Sequence, residues 1–199
     1  QAKAVGTIDV PASGVVPASL ASNIISGQTE LSSAPDDTDE LLISDAGTIK
    51  RVDVSLIKST NTPNFFANKT NDQTISSGTA TKAEFDTEEF DSDSAFASNR
   101  FTVPSGEAGK YFFYTTCHFT GSTDQSYHIV EFFKNGSVAA RSVNRFSGTP
   151  SLSESLSLIF DLGVGDYMEV YVKQNSGSDQ ILRGEASERK TYFVGFKLV

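Results

Sequence analysis

The stretch TKAEFDTEEFDSDSAF, residues 81 to 96, gathers six carboxylates, at Glu84, Asp86, Glu88, Glu89, Asp91 and Asp93, around three phenylalanines, with no base in its last fourteen positions. Such a cluster can hold a hard cation, share catalytic protons across a cleft, or sit in water. Asp91 and Asp93 offer two oxygen ligands at i and i+2, the opening of a calcium loop. The EF-hand pattern counted from Asp91 needs Gly at the sixth position and a bidentate Glu at the twelfth, where this chain has Phe96 and Thr102. The EF-hand reading therefore fails; calcium in another geometry on Asp91 and Asp93 stays open, and no other cofactor is expected. A glycosidase-type pair needs two acids held at a fixed separation across a cleft, one with a raised pKa. The simpler expectation is a solvated acidic edge whose charges oppose pairing with another sheet.

The remaining reactive residues are few. Cys117 and His118 are adjacent on a predicted strand, so their side chains point to opposite faces and cannot act as nucleophile and base for each other. Cys117 reads as a small buried hydrophobe. His118 and His128 would bind a metal only if neighbouring strands brought them together with a third ligand. LGVGDY, residues 162 to 167, begins like a dinucleotide loop, but Met168 replaces the third glycine and a strand follows, so it reads as a turn. GxSxG, HExxH and P-loop patterns are absent. No enzymatic activity is expected.

The formal charge is -9. Residues 1 to 93 carry 15 acids and 6 bases and residues 94 to 199 carry 10 of each, so the excess lies in the first half. Without a basic stripe there is little to neutralise phosphates, which argues against nucleic acid and anionic membranes. A single cysteine excludes an intrachain disulfide framework. No apolar run approaches the roughly 18 residues of a membrane span, and no leader-like segment opens the chain.

Three regions differ in texture. Residues 1–30 lack aromatics and are rich in Ser, Ala, Pro and Gly, as expected of an extended N-terminal attachment arm. Residues 31–62 contain DELLISDAGTIKRVDVSLI, read as a β-hairpin neck with strands at 41–44 and 48–54 around a turn closed by Gly47. A lone hairpin is marginal in water, so it must be buried by the next domain or by copies of itself. From residue 63 onward, Phe, Tyr, Val and Thr runs alternate with turn clusters. Strands are expected at 65–69, 82–86, 99–102, 109–119, 126–134, 137–144, 152–160, 166–174, 180–186 and 190–198. Ten short strands at this spacing predict an all-β sandwich or barrel, with Asn135-Gly136 as the clearest type I′ hairpin turn.

TKAEFDTEEFDSDSAFASNRFTVPSGEAGKYFF, then KNGS, SLSLIFDLGVGDYMEVYVKQNSG and the closing TYFVGFKLV together resemble the C1q/TNF-like jelly-roll family over residues 63–199. The resemblance implies a ten-stranded sandwich of two sheets that assembles as a homotrimer. It also places Phe85, Phe90 and Phe96 in or near the core and allows a calcium ion shared near the threefold axis. The 15 glycines show no Gly-X-Y period, unlike the collagen stalk of secreted members. DDTDELLISDAGTIKRVDVSLI is similar to connector modules of bacteriophage tail-fibre and other virion proteins. Together the resemblances imply a tail-fibre-like virion protein, assembled in the host cytoplasm, whose arm (residues 1–62) meets other virion proteins. The single cysteine fits that reducing compartment. Alternatives are a capsid decoration or head-fibre protein, and a non-viral C1q-like ligand-binding module.

Two surfaces follow. Strand 109–119 is apolar on both faces, as in a covered central strand; Tyr111, Phe113, Phe193 and Val199 are the expected trimer-interface residues. The polar loops 120–127, 144–150 and 174–181 are the expected site for a host surface glycan or protein, through Tyr127, Arg145, Phe146, Gln174 and Asn175. Threefold repetition would add avidity.

Overall fold

A computed structural model describes residues 26–57, 61–121, 126–145, 147–148 and 151–198. The chain divides into two compact units, Gln1–Lys58 and Ser59–Val199.

In the first unit, β1 (Glu40–Asp45) pairs antiparallel with β2 (Thr48–Asp53). Ala46 and Gly47 both have positive φ, 49° and 85°, the type I′ geometry that matches the twist of a two-residue hairpin. A single 3-10 turn, Val54–Leu56, follows and folds back: the Val54 N–H donates to Asp39 O at 2.8 Å and that of Ser55 to Asp37 O at 3.2 Å. Among its described residues Val54 is the one buried hydrophobe, while Leu42, Ile49 and Leu56 face solvent.

The second unit is a sandwich of two antiparallel sheets. One sheet runs β11 (Ser137–Arg145), β10 (Tyr127–Lys134), β13 (Tyr167–Gln174), β8 (Arg100–Thr102), β7 (Phe96–Ala97), with β5 (Thr81–Lys82) also on β13. The other runs β4 (Gln73–Ile75), β14 (Gln180–Leu182), β9 (Gly109–Thr120), β15 (Tyr192–Lys197), β3 (Asn64–Asn68), β6 (Thr87–Asp91), with β12 (Leu152–Leu162) on the far edge of β9. This is the expected all-β jelly roll. Asn135 and Gly136, at φ 52° and 79°, form the hairpin turn between β10 and β11.

Aromatic side chains fill the space between the sheets. Phe65 stacks on Phe96 and meets Phe193 edge-on, both at 4.9 Å between centroids. Gly195 lies between Phe65 and Phe113; a Cβ there would sit 2.5 Å from the Phe113 ring, so the rings occupy the space of a side chain.

The boundaries differ where local pattern and tertiary pairing disagree. Residues 82–86 yield only Thr81–Lys82, and 180–186 shorten to Gln180–Leu182. Gln73–Ile75, Thr87–Asp91 and Phe96–Ala97 are strands that the sequence did not announce. Thr87–Asp91 is too acidic to look like a strand, yet it forms the sheet edge beside β3, where charge is tolerated because one side faces water. Phe85 and Phe96 are buried as expected, but Phe90 is 49% exposed and meets Phe66 on the outer surface.

Candidate functional site

The two ends of the sandwich are built from different parts of the chain. At one end, Asn64 pairs with Phe196, Phe196 with Phe112, and the Leu198 N–H bonds Lys110 O, so β3 begins where β15 ends. The loops after β9, β11 and β13 lie at the opposite end, roughly 25 Å further along β9 at about 3.3 Å per residue. The three loops singled out from sequence thus share the end remote from where the chain enters the sandwich.

There Tyr127 and Arg145 are cross-strand partners, with the guanidinium carbon 5.7 Å from the Tyr127 ring centroid. The Tyr127 N–H donates to Asn175 Oδ1 at 2.7 Å, which ties the start of β10 to the loop after β13. Arg145 and Asn175 are exposed and Tyr127 is half-buried. Gln174 is different: it is fully buried, its Nε2 donates to Ile75 O and Ser178 O at 2.8 Å each, and its Oε1 accepts from the Ser176 N–H. Gln174 therefore shapes the loop and offers nothing to a ligand. Phe146 lies outside the described residues.

A buried polar layer, not evident from sequence, underlies these loops. His128 stacks on Phe119 at 3.9 Å, and its Nε2–H donates to Gln180 Oε1 at 2.7 Å. Burial pulls the imidazole down to about 4, so the ring is neutral. Only an alternation count that placed His128 on the inner face of β10 would have signalled it.

The expected interface residues need correction. Tyr111, Phe113 and Phe193 are fully buried inside a single copy, facing the opposite sheet, and have no surface left for a neighbour. Val199 lies outside the described residues. The outward face of the same sheet carries the other parity: Ile159, Phe112 and Phe196 form one cross-strand row, and Tyr114, Val194, Phe66 and Phe90 form the next. These rings contact one another, with Phe112–Phe196 and Phe66–Tyr192 at 5.3 Å and Tyr114–Tyr192 at 5.7 Å. They are half-exposed, on the face turned away from the other sheet of this unit. The sequence signal was Gly195: it shares parity with Phe193 and marks the side where rings press on the backbone.

The chemistry-bearing residues picked out from the sequence have structural partners in the second unit. Asp91 accepts the N–H groups of Ala95 at 3.0 Å and Phe96 at 2.8 Å, and Asp93 accepts the Ser92 hydroxyl. Asp91 thus closes the turn before β7. Among the described residues no three His, Cys, Asp or Glu side chains converge on a metal position. His118 and His128 face different ways. The His118 ring nitrogens lie 2.8 Å from Ser153 Oγ and 3.1 Å from Ser151 Oγ, with no carboxylate hydrogen-bonded to the ring among the described residues. Burial, then Lys190 and Arg183, lower its pKa. Cys117 is sealed in the core, where burial pushes the thiol up to about 12.

No protein-family model and no curated protein matches the sequence. Solved structures do match by fold. The globular domain of zebrafish complement 1qA protein superposes with a TM-score of 0.50 at 16% identity, over 69% of this chain and 98% of that one. Eiger TNF from S. frugiperda gives 0.51 at 11%, over 70% and 94%. Murine APRIL at pH 5.0 gives 0.50 at 15%, over 68% and 98%. The head has the C1q/TNF-like jelly-roll fold.

Proposed function

We propose that this chain is a non-enzymatic bacteriophage virion protein, a homotrimeric, tail-fibre-like appendage attached through residues 1–62 and carrying a C1q-like head that binds a host surface glycan or protein. The observation that carries the reading is the aromatic outer face of the β9 sheet. Phe66, Phe112, Tyr114, Tyr192 and Phe196 form a contiguous apolar surface on one copy, and such surfaces mark association sites. Closing it around a threefold axis buries it in a heterologous ring. The polar loops at the far end, with Tyr127, Arg145 and Asn175, are then presented three times, so weak contacts combine. The connector resemblance within residues 31–62 supports the virion setting.

Cryo-electron microscopy of the intact particle tests this reading. Threefold projections on the tail, with residues 1–62 inserted in a tail component, are the expected result; density on the capsid shell would replace host binding with decoration, and no particle would remove the viral assignment. A second test deletes residues 1–62: the head should remain a soluble trimer that no longer enters particles.

A further inference from the structure

We propose that the hairpin unit, residues 31 to 57, is itself an assembly site, in which the Leu42 and Ile49 face of one copy seats in an apolar hollow on the next to close a threefold neck. The inference rests on the homotrimeric reading above.

The register divides the hairpin into two unlike faces. Leu42 pairs with Arg51 and Ser44 with Ile49, so these four share one face, while Leu41, Val52 and Ile43 share the other. Leu42 and Ile49 are 79% and 69% exposed and diagonal to each other, forming a small apolar projection. A hollow of about 670 Å3 is lined by Leu31, Pro35, Leu41, Val54 and Ile57, with Asp39 and Glu40 also on its wall. One hairpin therefore carries both an apolar projection and an apolar recess. Two-stranded hairpins are marginal in water, and here Val54 is the single buried hydrophobe among the described residues of the unit.

Three features choose another copy of this chain as the occupant. A projection on one face and a recess elsewhere make a heterologous contact, the type that closes into a ring. Only six residues, 58 to 63, separate Ile57 from Asn64 in the sequence, so a trimeric head keeps three hairpins at high effective concentration. The charges also agree: Arg51 stands beside Leu42, pairs with Glu40 of its own copy at 2.6 Å and keeps its side chain 73% exposed, which leaves Asp39 as the acid on the recess wall that it would approach in the next copy.

The test uses the full chain with Leu42→Cys and Ile57→Cys combined, since the native Cys117 is buried and silent. Mild oxidation should give a covalent trimer on a non-reducing gel from the double variant and none from either single variant. In parallel, hydrogen exchange should show amides in residues 40–53 protected, with protection falling at least tenfold in Leu42→Asp while head amides keep theirs. A trimer by native mass spectrometry with neither cross-link nor protection overturns the neck and leaves the head assembly standing. Protection without an intermolecular cross-link assigns the hairpin to a surface of its own chain and overturns the proposal, as does a linked dimer from Leu42→Cys alone. A monomer overturns both this inference and the homotrimer.

Discussion

Along β9 and β15, alternate side chains enter two aromatic environments of similar composition and opposite fate. Toward the interior, Tyr111, Phe113 and Phe193 are sealed against the other sheet. Toward the exterior, Phe112, Tyr114, Tyr192 and Phe196 contact one another but remain half-open. The difference lies in what stands opposite. A ring on the inner face gains from apolar area removed from water when one chain folds. A ring on the outer face gains part of it from its neighbours on the same sheet, and under the proposed trimer the rest comes when another copy covers it. Aromatic density thus reports that a surface is to be covered, without saying whether its own chain covers it.

The sharpest way to break that comparison is to remove one ring from each face. Phe113→Ala leaves a cavity among Phe65, Phe101 and Phe193 and should cost the head about 3–5 kcal/mol in denaturant unfolding. Gly195→Ala attacks the same interior by overfilling; with the added Cβ at 2.5 Å from the Phe113 ring, a loss of about 1–3 kcal/mol is expected. Tyr114→Ala, outside, should change unfolding of the isolated head far less. Equal losses at Phe113 and Tyr114 would mean that the two faces are not distinguished by covering.

Acid sharpens the contrast through His128. Its folded pKa, held near 4 by burial, lies below the ordinary 6.5, so the unfolded chain binds the proton first. Stability should be full above about pH 6.5, fall as pH drops towards 4 by on the order of 3 kcal/mol, and take no further loss from this group below that. Asp86 acts later: burial pushes its carboxyl up, but hydrogen bonds from Thr70 and Asn71 outweigh this and hold it at about 2, so its contribution is lost as pH falls from 3.8 towards 2. His128→Gln should shrink the first window to the part that His118, also lowered, contributes, and leave the second. A first window of undiminished size in the variant would place the acid response elsewhere.

How much of this was legible beforehand follows from the same contrast. The long strands, the Asn135-Gly136 turn and the jelly-roll class were readable because alternation and turn chemistry are local. Face assignment on β15 was not: Tyr192, Val194 and Phe196 read as core as readily as Phe193, and only the crowding at Gly195 breaks the tie. Thr87–Asp91 was missed because a strand at a solvated edge can be mostly charged. At the far loops, Tyr127, Arg145 and Asn175 were placed together as expected, whereas Gln174 resembled them in type and sequence position but is buried, a fact fixed by Ile75 from a distant strand.

Charging the outer face tests assembly with a smaller effect on the fold. Tyr192→Asp combined with Phe196→Asp puts two carboxylates into the surface proposed to close against another copy. The expected outcome is a monomer by light scattering with an unchanged far-UV spectrum. A trimer that survives would show that the half-exposed rings are not the contact, and the association would have to run through other surfaces.

The smallest effect on stability belongs to the far loops, and there the contrast between structure and function is most useful. Arg145 is exposed and makes one long contact over the Tyr127 ring at 5.7 Å, so Arg145→Ala should shift unfolding by no more than about 0.5 kcal/mol and leave the trimer intact. If these loops engage the host, adsorption of particles carrying the variant should nonetheless drop steeply, because each lost contact is lost three times and avidity multiplies the deficit. Asn175→Ala provides the control, since it removes the acceptor that ties Tyr127 in place at 2.7 Å and should disturb the loop as well as the surface. Normal adsorption with Arg145→Ala and with Tyr127→Ala would move recognition away from this end and leave the proposed assembly through the aromatic outer face to be judged on its own test.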